Sequence, residues 1–212
     1  MGALAICRSA LALLRDPALR AAPPPQLRRA LICAGSASAA MGDYAHALED
    51  FSAAASDMDR QTVFLDWYWR MPLAAGLTEL WLAKGDGVRA RLEAERLLDM
   101  ALATEERTWQ ALAWEINARV ALANRDDARA RDCIARGVST VQGFEVPLAA
   151  WRVHATAAHL EEESGNRESA RKHLDLSRAT IMQLANSMEQ REPLREIFLS
   201  APAVAQVLSG DS

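Results

Sequence analysis

Four short turns recur along this chain at nearly constant distance, and that spacing restricts its fold more than any other feature. They read "MGDY" at 41–44, "KGDG" at 84–87, "NRDD" at 124–127 and "SGNR" at 164–167. Aligned on Gly42, Gly85, Arg125 and Gly165, they stand 43, 40 and 40 residues apart. A period in that range marks a supersecondary unit stacked on copies of itself. Gly followed by Asp or Asn can end one helix in a left-handed C-cap and open the next with an N-cap. Arg125 departs from the glycine rule, and Asn124 before it is the expected left-handed residue of that turn.

The residues around the turns keep register. Five places after each anchor stands an alanine: Ala47, Ala90, Ala130 and Ala170. Seven before stand Gly35, Thr78, Ala118 and Ala158; nine after stand Phe51, Ala94, Ile134 and Leu174. Two antiparallel helices approach closely only where side chains are small, so the first two sets belong at the crossing. The third set, one turn further on, is placed to pack against the next hairpin. Alanine fills about a fifth of the chain, so the alanines mean little alone; their joint register with turns and small residues means much more.

This pattern resembles the tetratricopeptide repeat, most closely in "LICAGSASAAMGDYAHALEDFSAAA" at 31–55, through Leu31, Gly35, Gly42, Ala47, Phe51 and Ala54. Later units offer Leu77, Trp81, Ala90 and Leu97, then Trp114, Ala118 and Ala130, then Ala158, Gly165 and Ala170. The period exceeds the family's usual one, and the closing proline is missing. Longer helices and connections of this kind resemble the C-terminal arrays of large bacterial signalling ATPases and transcriptional regulators, and the tail 191–208 resembles the closing segment of such arrays. The resemblance implies an all-α fold: a right-handed superhelix of antiparallel hairpins, a tetratricopeptide-like α-solenoid closed by short C-terminal capping helices. It also implies one domain over 1–212, with a partial hairpin at 1–20, repeats at 27–57, 64–103, 107–141 and 147–189, and a cap at 190–208.

Helices are expected near 2–15, 26–41, 44–57, 64–83, 87–103, 107–123, 126–141, 147–163 and 167–189, with a short pair at 193–199 and 202–208. "AAPPPQ" at 21–26 reads as a connection, because proline is barred from helix interiors. Pro147, Pro193 and Pro202 suit first helical turns. Pro72 is expected to kink its helix or delay its start. No segment sustains strand alternation.

The composition favours helix over strand, being rich in alanine, leucine, arginine and glutamate and poor in β-branched residues. A net charge of −4 with scattered arginines lacks the basic stripe of a nucleic-acid binder, so no nucleic acid is expected as partner. Those arginines, commonly near carboxylates, read as solvated helix faces. Cys7, Cys33 and Cys133 are odd in number and widely spaced, which argues against a disulfide framework and suits the cytoplasm. No apolar run approaches the ~20 residues that span a bilayer, so no membrane partner is expected. Arg8 interrupts the apolar start, and no basic segment precedes it, which argues against a secretory signal.

Chemistry is thin. His46, His154, His159 and His173 form no metal motif; His154 and His159, five apart, are poorly spaced for joint ligation. No nucleophile elbow or phosphate loop occurs, so no catalytic residue, metal or cofactor is expected. The six tryptophans read mainly as core. In "DWYW" at 66–69 three consecutive aromatics cannot all face inward, so at least one is expected on the surface.

The resemblance implies that first helices line a groove and second helices form its back. Faces opposite the packing positions give Arg29, Ile32, Ser36, Ala75, Glu79, Leu82, Glu115, Arg119, Arg152, His159 and Glu162 as lining, with Glu115 and Arg119 spaced to pair. The expected occupant is a protein or peptide. That makes the chain a protein-interaction scaffold or sensor module in signalling or transcriptional regulation, with small-molecule effector binding as the rival reading. Helix 2–15, with Leu4, Cys7, Leu11 and Leu14 on one face, is expected to end at Asp16-Pro17. It reads as the second half of an incomplete hairpin, its remaining apolar edge available to a homodimer or to an upstream domain.

Overall fold

The computed structural model describes residues 3–15, 24–64 and 66–210, and every regular element among them is helical. Contacts divide the chain into two compact units, Met1–Ala103 and Thr104–Ser212. The first holds α1 (Ala3–Arg15), α2 (Pro24–Ala40), α3 (Tyr44–Arg60), α4 (Asp66–Ala83) and α5 (Gly87–Leu102). The second holds α6 (Arg107–Ala123), α7 (Asp127–Val141), α8 (Pro147–Glu163), α9 (Arg167–Asn186), α10 (Glu192–Leu199) and α11 (Pro202–Ser209). Within each unit, helices pack chiefly against their neighbours in sequence: α2 with α3, α4 with α5, α6 with α7, α8 with α9.

The four turns are chemically the same turn. In the first, Gly42 N–H donates to the Ala39 carbonyl (3.0 Å) and Asp43 N–H to that of Ser38 (2.9 Å). Gly85 and Asp86 repeat this on Leu82 and Trp81, Arg125 and Asp126 on Leu122 and Ala121, and Gly165 and Asn166 on Glu162 and Glu161. This pair of bonds satisfies carbonyls that a helix end leaves open, and it requires a left-handed residue at the anchor. Gly42, Gly85 and Gly165 supply it at φ of 79°, 72° and 77°. The third turn corrects the sequence expectation: Arg125 itself takes φ 59°, while Asn124 stays at −91°. The hydrogen-bond pattern fixes which residue must be left-handed, and the anchor position wins over the better-suited neighbour.

The next residue opens the following helix. Asp43, Asp86 and Asp126 each accept, through a carboxylate, the N–H three residues on, from His46, Arg89 and Arg129. Such caps are worth ~1 kcal/mol each. Asn166 makes no such bond; its side-chain amide donates to Glu161 at 2.8 Å.

The expected crossing residues are buried. Ala47, Ala90 and Ala130 are fully buried and Ala170 nearly so, as are Thr78 and Ala118 opposite. Phe51 shows how tight the packing is. A Cβ added to Gly35 on α2 would stand 2.8 Å from its ring, and one added to Gly76 on α4 would stand 2.7 Å from it. The ring therefore bridges its own hairpin and the next, as the register predicts for that position.

Four boundaries differ from the sequence reading by two or three residues, among them the end of α3, which runs on to Arg60. Pro24 and Pro25 belong to the first turn of α2, where missing N–H groups cost nothing. The helix of Pro72 starts at Asp66, two residues later than expected, and continues through the proline. Helix α9 stops at Asn186, three residues early. Leu4, Cys7 and Leu14 have side chains outside the described residues, as does the Asp16-Pro17 stop. On α1, which packs on α2, Leu11 joins the core while Ile6 and Leu13 stay exposed.

One arginine contradicts the solvated reading. Arg28 on α2 is completely buried, and its guanidinium is shared among the Asp57 carboxylate at 2.8 Å, the Asp66 carboxylate, and the backbone carbonyls of Asp57 and Gln61. A charge taken out of water persists only when several partners replace the water. Here those partners tie α2 to the end of α3 and the start of α4.

Candidate functional site

A cavity of about 530 Å³ opens in the second unit, walled by α6, α8, α9 and α11. Its floor includes Trp151, 5 % exposed, which packs with Ile181 and Val204. The Trp151 carbonyl accepts from buried Ser177 (2.8 Å), fixing α8 against α9. Arg178 of α9 holds α11 in place: its Nε donates to the Val207 carbonyl (2.9 Å), near the negative end of that helix.

The sequence candidates fall in two groups. Glu115, Arg119, Arg152, His159 and Glu162 all line the cavity. Arg29, Ile32, Glu79 and Leu82 lie in the first unit; Arg29 is exposed, Glu79 and Leu82 are half-buried, and Ile32 belongs to the hydrophobic core. Ile32 is thus a packing residue, 5 % exposed in the same cluster as Leu31 and Phe51. Glu115 also departs from an open groove position. It is 2 % exposed, and one carboxylate oxygen accepts from Arg119 Nε (2.7 Å) and Thr156 Oγ1 (3.0 Å). Its other oxygen is buried without a hydrogen-bond partner.

Other wall residues are also tethered. Arg152 lies over the Trp151 ring, 4.6 Å from its centroid, a cation–π geometry. His159 reaches Glu163 at 3.6 Å. Arg167 and Arg171 add two cations from the first turns of α9. Sequence reasoning missed both, having assigned second helices to the back; their four-residue spacing, which puts both on one face, was the available signal. It also missed the α11 wall, with Ala203, Gln206 and Val207.

Two further clusters stand outside the cavity. His154 of α8 and His173 of α9 face each other across their hairpin, Nδ1 to Nδ1 at 3.0 Å. Burial, with the second ring's charge adding to it, pushes His154 down to about 4; burial also lowers His173. In the first unit Phe64, Trp67 and Tyr68 are exposed, at 90 %, 41 % and 42 %, while Trp69 is half-buried against the core. Tyr68 meets both tryptophan rings edge-on, at 6.0 and 5.4 Å.

Among the described residues no group of three or more His, Cys, Asp and Glu gathers where it could hold a metal ion. Cys33 is exposed and Cys133 is buried; burial raises the Cys133 thiol, away from the reactive thiolate. No helix among the described residues is long and apolar enough to cross a membrane. No protein-family model matches the chain, and a search of curated proteins finds no match.

Proposed function

We propose that this chain is a tetratricopeptide-like α-solenoid that binds another polypeptide, as a cytoplasmic scaffold or sensor module in bacterial signalling or transcriptional regulation, without catalysis of its own. The repeated turn chemistry supports the repeat reading. The observation that carries the function is the exposed aromatic pair at the start of α4, Trp67 and Tyr68, with exposed Phe64 just before the helix, on an element whose other large side chains are mostly covered. Tryptophan and tyrosine are the residue types that anchor protein interfaces. A photo-crosslinking phenylalanine at position 67, introduced in the native host, should trap one defined polypeptide. The same substitution at exposed Asp99 should not. Equal yields from both positions would refute the assignment.

The cavity favours a second reading, a small effector bound in the second unit. Its volume lies within the range of small-ligand sites, and it combines apolar walls with a few polar groups. Calorimetric titration with candidate metabolites, repeated on Ala203→Phe to fill the cavity from α11, tests this reading. Binding that the filled variant retains would place the ligand elsewhere.

A further inference from the structure

The second reading leaves the chemistry of the ligand open, and the charges around the cavity narrow it. Four arginines and one histidine line it against two glutamates. Glu115 and Arg119 answer each other at 2.7 Å, and His159 is next to Glu163. Among the described residues Arg152, Arg167 and Arg171 have no carboxylate within ion-pair distance, and of the lining carboxylates Glu162 is the one not already answered by an arginine. Resting on that second reading, we infer that the cavity binds a small organic anion, a carboxylate or phosphate carried on an apolar body.

Geometry supports the inference from three sides. Arg167 and Arg171 stand four residues apart on the first turns of α9, so their guanidinium groups reach the same side of the cavity. That end of α9 carries the positive pole of the helix, and its N-cap side chain is turned away to Glu161. Opposite, Arg152 rests on the Trp151 ring, where a stronger partner can draw it to an anion. The apolar share of the wall, from Leu122, Ala155, Leu174 and Val207, suits a hydrocarbon body and not an inorganic ion.

The test uses the full chain and calorimetry with four probes: octanoate, octyl phosphate, octanamide and inorganic phosphate. The inference expects one saturable site for octanoate or octyl phosphate, with octanamide about tenfold weaker or worse. Whichever of the two anions binds more tightly names the acid group, and inorganic phosphate should bind weakly. Arg167→Gln with Arg171→Gln should weaken the anion by about tenfold or more while leaving octanamide unchanged. Both positions are exposed, so the fold should survive, and circular dichroism checks it. Equal binding of octanoate and octanamide, abolished by Ala203→Phe, overturns the anion inference and keeps the effector reading. Inorganic phosphate binding as well as octyl phosphate also overturns the inference, because the apolar body would then contribute nothing. No binding by any probe at millimolar concentration overturns the inference for these acids, while the metabolite titration still judges the effector reading.

Discussion

His154 and His173 lie ring against ring, centroids 5.2 Å apart and planes 28° from parallel, with one Nδ1 donating a hydrogen bond to the other across 3.0 Å. That bond exists only while at least one ring is neutral. Glu161 and Lys172 are the charged groups that act on His173, in opposite directions.

The pair predicts an acid sensitivity with a definite sign. The folded state holds His154 at about 4, below the ordinary 6.5, so between those values the unfolded chain binds more protons. The pair's stabilising contribution is full above pH 6.5 and is lost as pH falls toward 4. His46 works the other way, since its bond to Asp43 raises it and its small contribution fades as pH rises. Nuclear magnetic resonance of the imidazoles separates the two. His173→Leu should raise His154 somewhat by removing the second charge, yet leave it under 6.5 because burial is the larger cause. A wild-type His154 titrating at 6.5 or above would contradict the packing described.

Gly76→Ala should destabilise the first unit by ~1–3 kcal/mol, through overpacking against the Phe51 ring. Alanine's better helix propensity would by itself favour the variant by about 1 kcal/mol, so the sign of the measurement decides between the two effects. Adding Phe51→Leu should relieve the clash and recover part of the loss. Urea unfolding of the two single variants and the double variant closes this cycle.

Arg28→Met should cost ~3–5 kcal/mol, because it leaves the Asp66 carboxylate without its cation and Asp57 with only the exposed Arg60 at 3.7 Å. Arg28→Lys should recover little, since one ammonium cannot serve four acceptors spread over α3 and α4. Thermal melts check both. A loss under ~0.5 kcal/mol for Met would mean that the site is open to water.

Arg125→Gly should raise the stability of the second unit by ~0.5–1 kcal/mol. The left-handed backbone at φ 59° costs an arginine about 1–2 kcal/mol, and a glycine's extra freedom in the unfolded chain cancels only part of that. Asn124→Gly should not stabilise, because Asn124 has ordinary negative φ. The reverse result would exchange the roles of the two positions.

Much of the fold was legible because the turns carry their own chemistry. Gly42 with Asp43, Gly85 with Asp86, and Gly165 with Asn166 announce a helix end and a helix start in two letters. The buried state of Ala47, Ala90, Ala130 and Ala170 followed from their distance to those turns. The interior of Arg28 was not legible, since its partners Asp57, Gln61 and Asp66 lie about thirty to forty residues on and only tertiary packing gathers them. The cavity was half legible. Spacing on α6 and α8 located Glu115, Arg119, Arg152, His159 and Glu162; Arg167 and Arg171 stand on a second helix, which was assigned to the back, and the α11 wall depends on how Arg178 ties down the final helix.

The seat of Phe51 has a consequence for how such a chain can change over time. One ring fills the space left by Gly35 on its own hairpin and by Gly76 on the next, so none of the three can vary without regard to the others. A smaller residue at 51 would permit side chains at 35 and 76, and in that order; the reverse order passes through a strained intermediate. Duplicating or exchanging one hairpin of the first unit would carry the ring away from one of its glycines. The two hairpins of that unit are therefore coupled, as a pair joined at a single side chain.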